Sequence, residues 1–432
     1  MMEALIIGNH AAGLTAAETL RRGDSSCKIT VISREVVPPY SRCLIPYLLS
    51  GEKQVEELLF KPASFYQDHS IDTRFGVEAV KVLADEKAVL LADGSKIRYD
   101  ALVIATGGTP SLPRIPGIQN QGVFSFRTLE DARKILGYCD RVEKAVVLGG
   151  GLIGLKAAVA LNHRGIQVSV VVGSPNVLSQ IVAAHEAEVF EEHLAELGME
   201  IVTRTSPARV LGADRVEGIE TTEGRKIACQ MVVIGKGVRA NTQLVADTDI
   251  QTEYGIVIDD RCRTSVPDVY AAGDVAQSRD DVRKERWMNA LWPHAVEEGR
   301  VAAENILGRE STLGCRTSMN SFVIGDLPLI SCGLTGAREK VEGGEEIILK
   351  GPAKRDCKRF IFKGDRLVGF ALVGNVANAG VLTSLVTKGI DVGKVRHEIV
   401  TGHFEFPLML PLIRDNRDKF SEPEYQEVLS LL

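Results

Sequence analysis

The sequence contains no C-x-x-C pair. Its eight cysteines are scattered along 432 residues, and no two of them stand three positions apart. This spacing argues against a dithiol redox centre, against an iron–sulfur cluster held by the chain's own thiolates and against structural zinc, so no metal site is predicted. Scattered thiols are typical of proteins in a reducing environment, which favours a cytoplasmic location.

Long apolar runs and an excess of positive charge are absent too. No apolar run reaches the roughly 18 residues of a membrane-spanning helix, so no membrane span is expected. The N-terminus enters a strand pattern at once ("EALIIG") and shows none of the regions of a secretory signal peptide. The net charge of −6 gives no electrostatic support for nucleic-acid binding. The composition, 45% hydrophobic and 25% charged, indicates a globular protein of about two to four domains.

Glycine-rich turns follow apolar strands at two places. At the first, "ALIIG" predicts a buried parallel strand, "GNHAAG" a phosphate-binding turn, "LTAAETLRR" a helix and "KITVIS" a second strand. His10 replaces the second glycine of G-x-G-x-x-G, so either the loop is relaxed or the ring turns away from a cofactor. The acidic residue expected about 20 positions on is replaced by Ser33, with Glu35 close by. An ordinary strand–helix turn is the alternative.

The second glycine motif is complete. "AVVLGGGLIG" places Gly149, Gly151 and Gly154 after an apolar strand, and a helix and the strand "IQVSVVV" follow. Val172 stands at the end of that strand, with no carboxylate for a ribose 2′-hydroxyl and no nearby arginine for a 2′-phosphate. The sequence therefore leaves NAD(H) and NADP(H) open. Two such motifs in one chain are far more specific than one.

Two further signatures complete a family pattern. "YDALVIATGGTP" (99–110) ends a strand in Ala-Thr-Gly, and "RTSVPDVYAAGDVA" (263–276) ends one in Gly-Asp. In this order the four elements resemble the two-dinucleotide-binding flavoproteins, that is, the FAD-dependent pyridine nucleotide–disulfide reductases and their ferredoxin- and rubredoxin-reductase relatives. The resemblance covers about residues 3–310.

The resemblance implies an α/β fold class with two Rossmann-like dinucleotide-binding domains and a C-terminal α+β domain. The FAD domain would be discontinuous, formed by residues 1–110 and 240–312, and the NAD(P) domain would span 111–239. Residues 313–432 would form an interface domain with a tail. "LVGFALVGN" there resembles the C-terminal domain of NADH:rubredoxin reductases and of nitrite reductase flavin domains. The tail (397–420) either covers the chain's own surface or docks a partner subunit.

The resemblance also assigns cofactor-binding residues. Gly8 and Gly13 would hold the FAD pyrophosphate at a helix N-terminus, and Asp274 would accept hydrogen bonds from the ribityl chain. The residues expected to bind FAD are Gly8, His10, Ala11, Ala12, Gly13, Ser33, Arg34, Arg42, Cys43, Ala105, Thr106, Gly107, Gly273, Asp274, Pro293, His294 and Ala295. Those expected to bind NAD(H) or NADP(H) are Gly149, Gly151, Leu152, Ile153, Gly154, Val172 and Gly235.

Cys43 and Lys156 are the candidate catalytic residues. Many relatives have a glutamate near the nicotinamide where this chain has Lys156, which could pair with phosphate, pair with a carboxylate of the other domain or stay solvated. "PPYSR" (38–42) resembles the rubredoxin- and nitrite-reductase branch, whereas "C-x-x-P-Y" (43–47) resembles thiol reductases. Arg42, and a helix beginning after Ile45, would lower the pKa of a Cys43 thiol.

Three functions are compatible with these features. The favoured hypothesis is FAD-dependent transfer of electrons between NAD(P)H and an iron–sulfur electron-transfer protein or subunit of the rubredoxin or ferredoxin type. The first alternative is a coenzyme A-disulfide or persulfide reductase, or an NADH oxidase, that uses Cys43. The second is an FAD-carrying electron-entry subunit of a larger redox complex. A homodimer and a hetero-complex are both open.

Overall fold

The computed structural model describes residues 1–339, 341–351, 353–403 and 406–420. Within these ranges no helix is long and apolar enough to cross a membrane. The helices are α1 (Ala11–Gly23), α2 (Ile45–Ser50), α3 (Phe65–Asp68), α4 (Leu129–Cys139), α5 (Leu152–His163), α6 (Ala184–Glu196), α7 (Trp292–Ile306), α8 (Ala379–Lys388), α9 (Arg396–Thr401) and α10 (Phe406–Asp415).

Strands occur along most of the described chain, several of them in runs without an intervening α-helix. They are β1 (Glu3–Ile7), β2 (Lys28–Ser33), β3 (Ile71–Phe75), β4 (Ala79–Leu83), β5 (Ala88–Leu91), β6 (Lys96–Arg98), β7 (Ala101–Ile104), β8 (Gly108–Pro110), β9 (Val123–Ser125), β10 (Lys144–Leu148), β11 (Gln167–Val171), β12 (Glu200–Val202), β13 (Pro207–Leu211), β14 (Gly218–Thr221), β15 (Lys226–Ala228), β16 (Met231–Ile234), β17 (Val238–Ala240), β18 (Ile256–Val257), β19 (Val269–Ala271), β20 (Ala276–Arg279), β21 (Arg286–Trp287), β22 (Met319–Ile324), β23 (Leu327–Gly333), β24 (Gly344–Lys350), β25 (Cys357–Lys363) and β26 (Arg366–Val373).

The first parallel sheet has the order β19-β7-β1-β2-β3. Its central strand β1 pairs with β2 and β7 along its length, and its apolar side chains are buried because α1 and other elements cover the sheet. Strand β19 comes from far along the chain and joins the edge beside β7. The carboxyl ends of all five strands therefore meet at one edge, where α/β proteins bind their ligands.

The second parallel sheet repeats this arrangement with the order β12-β11-β10-β16-β9. Helix α5 follows β10 directly and buries small residues against the sheet. Strands β8 and β17 pair antiparallel where the chain leaves the first sheet and where it returns. The structure thus contains two consecutive βαβ units of the Rossmann type, as the two glycine motifs predict.

The third sheet is antiparallel, in the order β22-β23-β26-β25-β24. Strands β25 and β26 form a hairpin, strands β22 and β23 pair antiparallel, and helix α8 buries Leu382, Leu385 and Val386. From the tail, Met409, Ile413 and Phe420 are buried in the same apolar cluster as α8. The described part of the tail therefore covers the chain's own surface. The predicted fold class is confirmed, and the exact domain boundaries stay a prediction.

Candidate functional site

The first glycine turn is packed so tightly that two of its positions exclude a side chain. Gly8 has φ +132°, and a Cβ there would lie 2.0 Å from the carbonyl oxygen of Ala105, which follows β7. A Cβ on Gly13 would lie 2.0 Å from the carbonyl oxygen of Gly8. Since both obstacles are backbone atoms, the start of α1 can sit this close to the sheet edge only with glycine at these places.

The N-terminus of α1 leaves backbone donors unsatisfied. His10 is the N-cap residue, but its side chain does not cap the helix. The amides of Ala11, Ala12 and Gly13 therefore have no intrahelical partner, and the helix dipole adds partial positive charge. Such an end binds phosphate groups.

Small residues line the edge of the sheet around this helix end. Gly273 has φ +78°, and a Cβ there would lie 3.2 Å from the Cβ of Ala12 and 3.6 Å from that of Ala295. Ala272 and Ala105 belong to the same cluster. Four predicted FAD segments, distant in sequence, thus converge on one surface. We call this surface the first cradle, formed by residues 8–13, 105–107, 272–274 and 292–295.

A polar cluster borders the first cradle. The guanidinium of Arg42 donates to Glu35 Oε1 (2.5 Å) and to His10 Nε2 (3.0 Å), and the hydroxyl of Tyr40 donates to Glu35 Oε2 (2.6 Å). Burial alone would raise the pKa of Glu35, but the charge of Arg42 and the hydrogen bond from the Tyr40 hydroxyl outweigh burial and hold that pKa below its usual range. Burial lowers the pKa of His10, so its ring is neutral and Nδ1 donates to the Tyr40 carbonyl.

Arg127 belongs to this site, although the sequence pattern did not single it out. Its Nη2 donates to Asp274 Oδ2 (2.6 Å), and its Nε donates to the carbonyl of Gly108 (3.1 Å). It follows β9, the edge strand of the second sheet, and so joins the two sheets across the first cradle. A basic residue after a short strand is too common a pattern to have identified it.

Glu298 was also missed. This residue on α7 is buried, and its Oε2 accepts a hydrogen bond from the amide of Gly273 (2.7 Å). Burial raises its pKa to about 8, and the carboxylate of Asp274 adds to the effect against the opposing Gly273 bond. Glu298 therefore holds the turn that carries Asp274 with a carboxyl group that is neutral at pH 7.

Cys43 lies in a 3₁₀ turn (Arg42–Leu44) directly before α2. Its side chain is exposed, yet surrounding protein atoms raise the pKa of the thiol, and the carboxylate of Asp274 raises it further. The predicted lowering of this pKa is wrong, because Arg42 is turned towards Glu35 and the desolvation outweighs the short helix. All eight cysteines are free, so Cys43 has no disulfide partner.

Lys156 pairs with no carboxylate among the described residues. Its Nζ donates to the hydroxyl of Tyr47 (3.1 Å) and lies 4.8 Å from the centre of that ring. Because Tyr47 is on α2 and Lys156 is on α5, the contact bridges the segment of Cys43 and the second unit. The same Tyr47 belongs to the C-x-x-P-Y pattern.

The second glycine turn forms a second cradle, consisting of residues 149–154, 172–174 and 235. A Cβ on Gly149 (φ +119°) would lie 2.4 Å from the carbonyl oxygen of Gly235, and one on Gly154 would lie 2.0 Å from that of Gly149. A Cβ on Gly151 would meet nothing within 4 Å, so this position faces open space. Ile153, next to it, is an exposed apolar residue at 43%. Tight glycines below an open one fit a bound dinucleotide.

The far end of the second cradle contains an arginine that the sequence pattern had placed out of reach. Val172 is buried, and its amide donates to Val202 at the end of β12. Two residues later, the amide of Arg204 donates to the carbonyl of Ser174 (3.1 Å). The expectation of no nearby arginine is therefore wrong, because β12 lies beside β11 in the sheet.

The remaining residues predicted to bind FAD lie at the edge of the first cradle or hold its segments in place. Arg34 is turned to the surface, where it pairs with Glu78 (3.5 Å), and the hydroxyl of Ser33 accepts from the amide of Glu35. The hydroxyl of Thr106 donates to the carbonyl of Asn241, and the backbone amide of Asn241 donates to the carbonyl of Gly107. Pro293 and His294 form the first turn of α7, beside Ala295, and burial lowers the pKa of His294.

The fold and the two cradles define a reductase with two dinucleotide-binding units. A family model described as pyridine nucleotide-disulphide oxidoreductase matches residues 2–299. The chain belongs to the pyridine nucleotide-disulphide oxidoreductase family. It is an FAD-containing, NAD(P)H-dependent oxidoreductase.

Individual relatives span several activities. An NADH oxidase of Methanocaldococcus jannaschii is 33% identical over 345 residues, covering 77% of this chain and 76% of the relative. Subunit epsilon of the NADH-dependent phenylglyoxylate dehydrogenase of Aromatoleum evansii is 29% identical over 399 residues, covering 92% of this chain and 94% of the relative. The chain spans only about half the length, 48% and 52%, of a nitrite reductase and a nitrate reductase electron transfer subunit of Bacillus subtilis.

A solved structure supports the same architecture. An NAD-dependent persulfide reductase from A. fulgidus superposes with a TM-score of 0.86 at 26% identity, covering 94% of this chain and 84% of that one.

Proposed function

We propose that this chain passes electrons between NAD(P)H and an iron–sulfur electron-transfer protein or subunit of the rubredoxin or ferredoxin type. Bound FAD supplies the exchange of a hydride for single electrons, which an iron–sulfur centre can accept. The chain's own residues hold both dinucleotides and control access to the reacting ring. The observation that carries the proposal is the environment of Cys43.

A cysteine-based reductase needs a thiolate. Desolvation and the carboxylate of Asp274 both favour the neutral thiol of Cys43. Arg42 is engaged by Glu35 and His10, and no second cysteine is bonded to Cys43. Because neither a ready thiolate nor a dithiol is present, Cys43 suits a route in which electrons leave the flavin directly.

The proposal gives each cradle one cofactor. The first-turn amides of α1 would bind the FAD pyrophosphate, and Asp274, held by Arg127, would face the ribityl chain. The second cradle would bind the nicotinamide dinucleotide, with Lys156 and Tyr47 between the two sites. This places FAD on residues 1–110 and 240–312 and NAD(P) on 111–239, and it leaves 313–432 as an interface domain.

A second candidate function is electron entry into a larger complex. The relative from A. evansii is named as a subunit of an NADH-dependent dehydrogenase, and the match covers nearly all of it. An electron-entry subunit would use the same two cradles, but its acceptor would be a neighbouring subunit. Copurification of the native protein with iron–sulfur subunits would support this candidate, and full activity of an isolated homodimer would contradict it.

The test is anaerobic stopped-flow reduction of the purified flavoprotein by NADH and NADPH, followed by mixing with rubredoxin, ferredoxin or coenzyme A disulfide. We expect electron transfer to an iron–sulfur protein at the same rate in wild type and in Cys43→Ser, since the thiol takes no part. Cys139→Ser, which changes a half-buried cysteine on α4, is the matched control.

The opposite outcome is the one expected of a cysteine-based enzyme such as the persulfide reductase that this chain resembles. Fast turnover of the disulfide in wild type and in Cys139→Ser, lost in Cys43→Ser and with no transfer to either iron–sulfur protein, would refute the proposal in favour of the cysteine-based alternative.

A further inference from the structure

We propose that Arg204 binds the 2′-phosphate of NADP(H) and makes this chain prefer NADPH to NADH. The proposal rests on the proposed placement of the nicotinamide dinucleotide in the second cradle and names which dinucleotide that cradle takes. In a Rossmann unit, the ribose 2′ group lies at the end of the second strand, which here is β11.

Backbone hydrogen bonds extend the contact between β11 and β12 beyond the strands themselves. The amide of Thr205 donates to the carbonyl of Val172 (3.2 Å), and that of Arg204 donates to the carbonyl of Ser174 (3.1 Å). Arg204 is therefore anchored directly beside residues 172–174, although the two segments are thirty positions apart in sequence. Its side chain is exposed.

The charges at this strand end favour a phosphate over a hydroxyl pair. An NAD(H) site usually offers a carboxylate to the 2′-hydroxyl, and none stands at residues 172–174. The neighbouring Glu191 accepts hydrogen bonds from the amide of Val177 (2.9 Å) and from Asn176 (3.4 Å), so it caps the following loop.

Arg204 differs from the other arginines of this region. Arg209 pairs with Glu220 (2.8 Å), and Arg225 pairs with Glu200. Among the described residues, no carboxylate lies within the 4.0 Å ion-pair distance of Arg204. An arginine without a protein counter-charge keeps its planar set of donors available for a phosphate, which it can bind through two hydrogen bonds.

The backbone of Arg204 has a conformation that is unusual for a residue other than glycine. Its φ is +60°, in the left-handed region that glycine adopts without cost and that strains other residues. A strained non-glycine residue at a ligand-facing turn suggests that its side chain has a use. A Cβ on Gly173 would lie 3.1 Å from Ser206 Oγ, so glycine at this position lets the two segments approach each other closely.

The test is calorimetric titration of the purified holoprotein with adenosine 2′,5′-bisphosphate and with adenosine 5′-monophosphate. We expect wild type to bind the bisphosphate more tightly. Arg204→Gln should weaken bisphosphate binding by roughly tenfold to a hundredfold, the value of a charge-assisted bond, and leave monophosphate binding unchanged. Arg204→Gly should do the same while unfolding at an equal or higher temperature, because it relieves the strained φ.

Arg209→Gln is the control, since it removes an exposed arginine that already has a carboxylate partner, and it should bind both nucleotides like wild type. In parallel, anaerobic flavin reduction should show a lower half-saturating concentration for NADPH than for NADH, reversed in Arg204→Gln. If wild type binds the two nucleotides equally, or if Arg204→Gln weakens the binding of both equally, only the proposed role of Arg204 is overturned. Failure of both nucleotides to bind overturns the placement of the dinucleotide in the second cradle as well. No step involves an electron acceptor, so the proposed iron–sulfur partner is judged separately.

Discussion

Glu298 shows how one buried residue can hold the turn that carries Asp274. Its carboxyl group on α7 accepts a hydrogen bond from the Gly273 amide, and among the described residues no cation pairs with it. Burial, with Asp274 close by, raises its pKa from 4.5 to about 8. Between these two values, the folded chain holds a proton that the unfolded chain releases.

The expected consequence is a pH-dependent stability that Glu298→Gln abolishes. With a raised pKa, the contribution of Glu298 is fully favourable below about pH 4.5 and is lost as the pH rises to about 8. The amide stays neutral, so the variant should gain a few kcal/mol over wild type at pH 8.5, and little at pH 5. Urea unfolding at the two pH values measures this difference.

Glu310→Gln serves as the control, because Glu310 is 81% exposed and pairs with Arg261 at the surface. Parallel unfolding curves of wild type and Glu298→Gln across this pH range would show that Glu298 is ionised throughout.

Helices α1 and α7 pack against each other beside the first cradle. They approach each other so closely that a Cβ on Gly299 would lie 2.2 Å from the carbonyl oxygen of Ala12. This approach brings the first turns of both helices to the first cradle, with Ala12 and Ala295 beside Gly273. The glycine thus sets the shape of the cradle from outside it.

We expect Gly299→Ala to destabilise the protein and to reduce its FAD content. The new methyl group would force α7 away from the backbone of α1, and overpacking of this kind costs about 1–3 kcal/mol or more. Thermal unfolding and the flavin-to-protein absorbance ratio measure the two effects.

Gly137→Ala on α4 is a matched helical glycine, since a Cβ there meets nothing within 4 Å. It should raise stability by about 0.5–1 kcal/mol through helix propensity and retain FAD. A Gly299→Ala protein with full FAD content and unchanged stability would show that the two helices can separate freely.

The three sheets are joined into one molecule through the second unit. Helix α6 lies against the C-terminal sheet, where Arg359 on β25 donates to Glu186 (2.7 Å) with both side chains almost wholly buried. Arg359 also binds Glu346 and the Thr335 carbonyl, so its donors are satisfied inside the interface. A buried pair of this kind is costly to break from one side.

Glu186→Ala should therefore lower the free energy of unfolding by about 3–5 kcal/mol, since it leaves the Arg359 charge buried with half of its counter-charge. Chemical denaturation with a fluorescence readout gives the value. Glu196→Ala, which removes a solvent-exposed partner of Lys354 and Arg355 on the same helix, should change stability little. Equal losses in the two variants would contradict a special role for the buried pair.

The sequence by itself determined the parts of this protein that depend on neighbouring residues. Both βαβ units follow from apolar runs and glycine spacing, because a tight strand–helix turn excludes side chains at fixed offsets. The family assignment followed from four such local patterns in order.

The tertiary structure alone decided the contacts made across strands and between units. Arg127, Glu298 and Arg204 reach the two cradles from strands and a helix whose neighbours in space are remote in sequence. The pKa of Cys43 was predicted wrongly for the same reason. Adjacent residues suggested a nearby cation, but packing directed Arg42 to Glu35 and surrounded the thiol with desolvating atoms. Electrostatics depends on distances through space, and those exist only after the chain has folded.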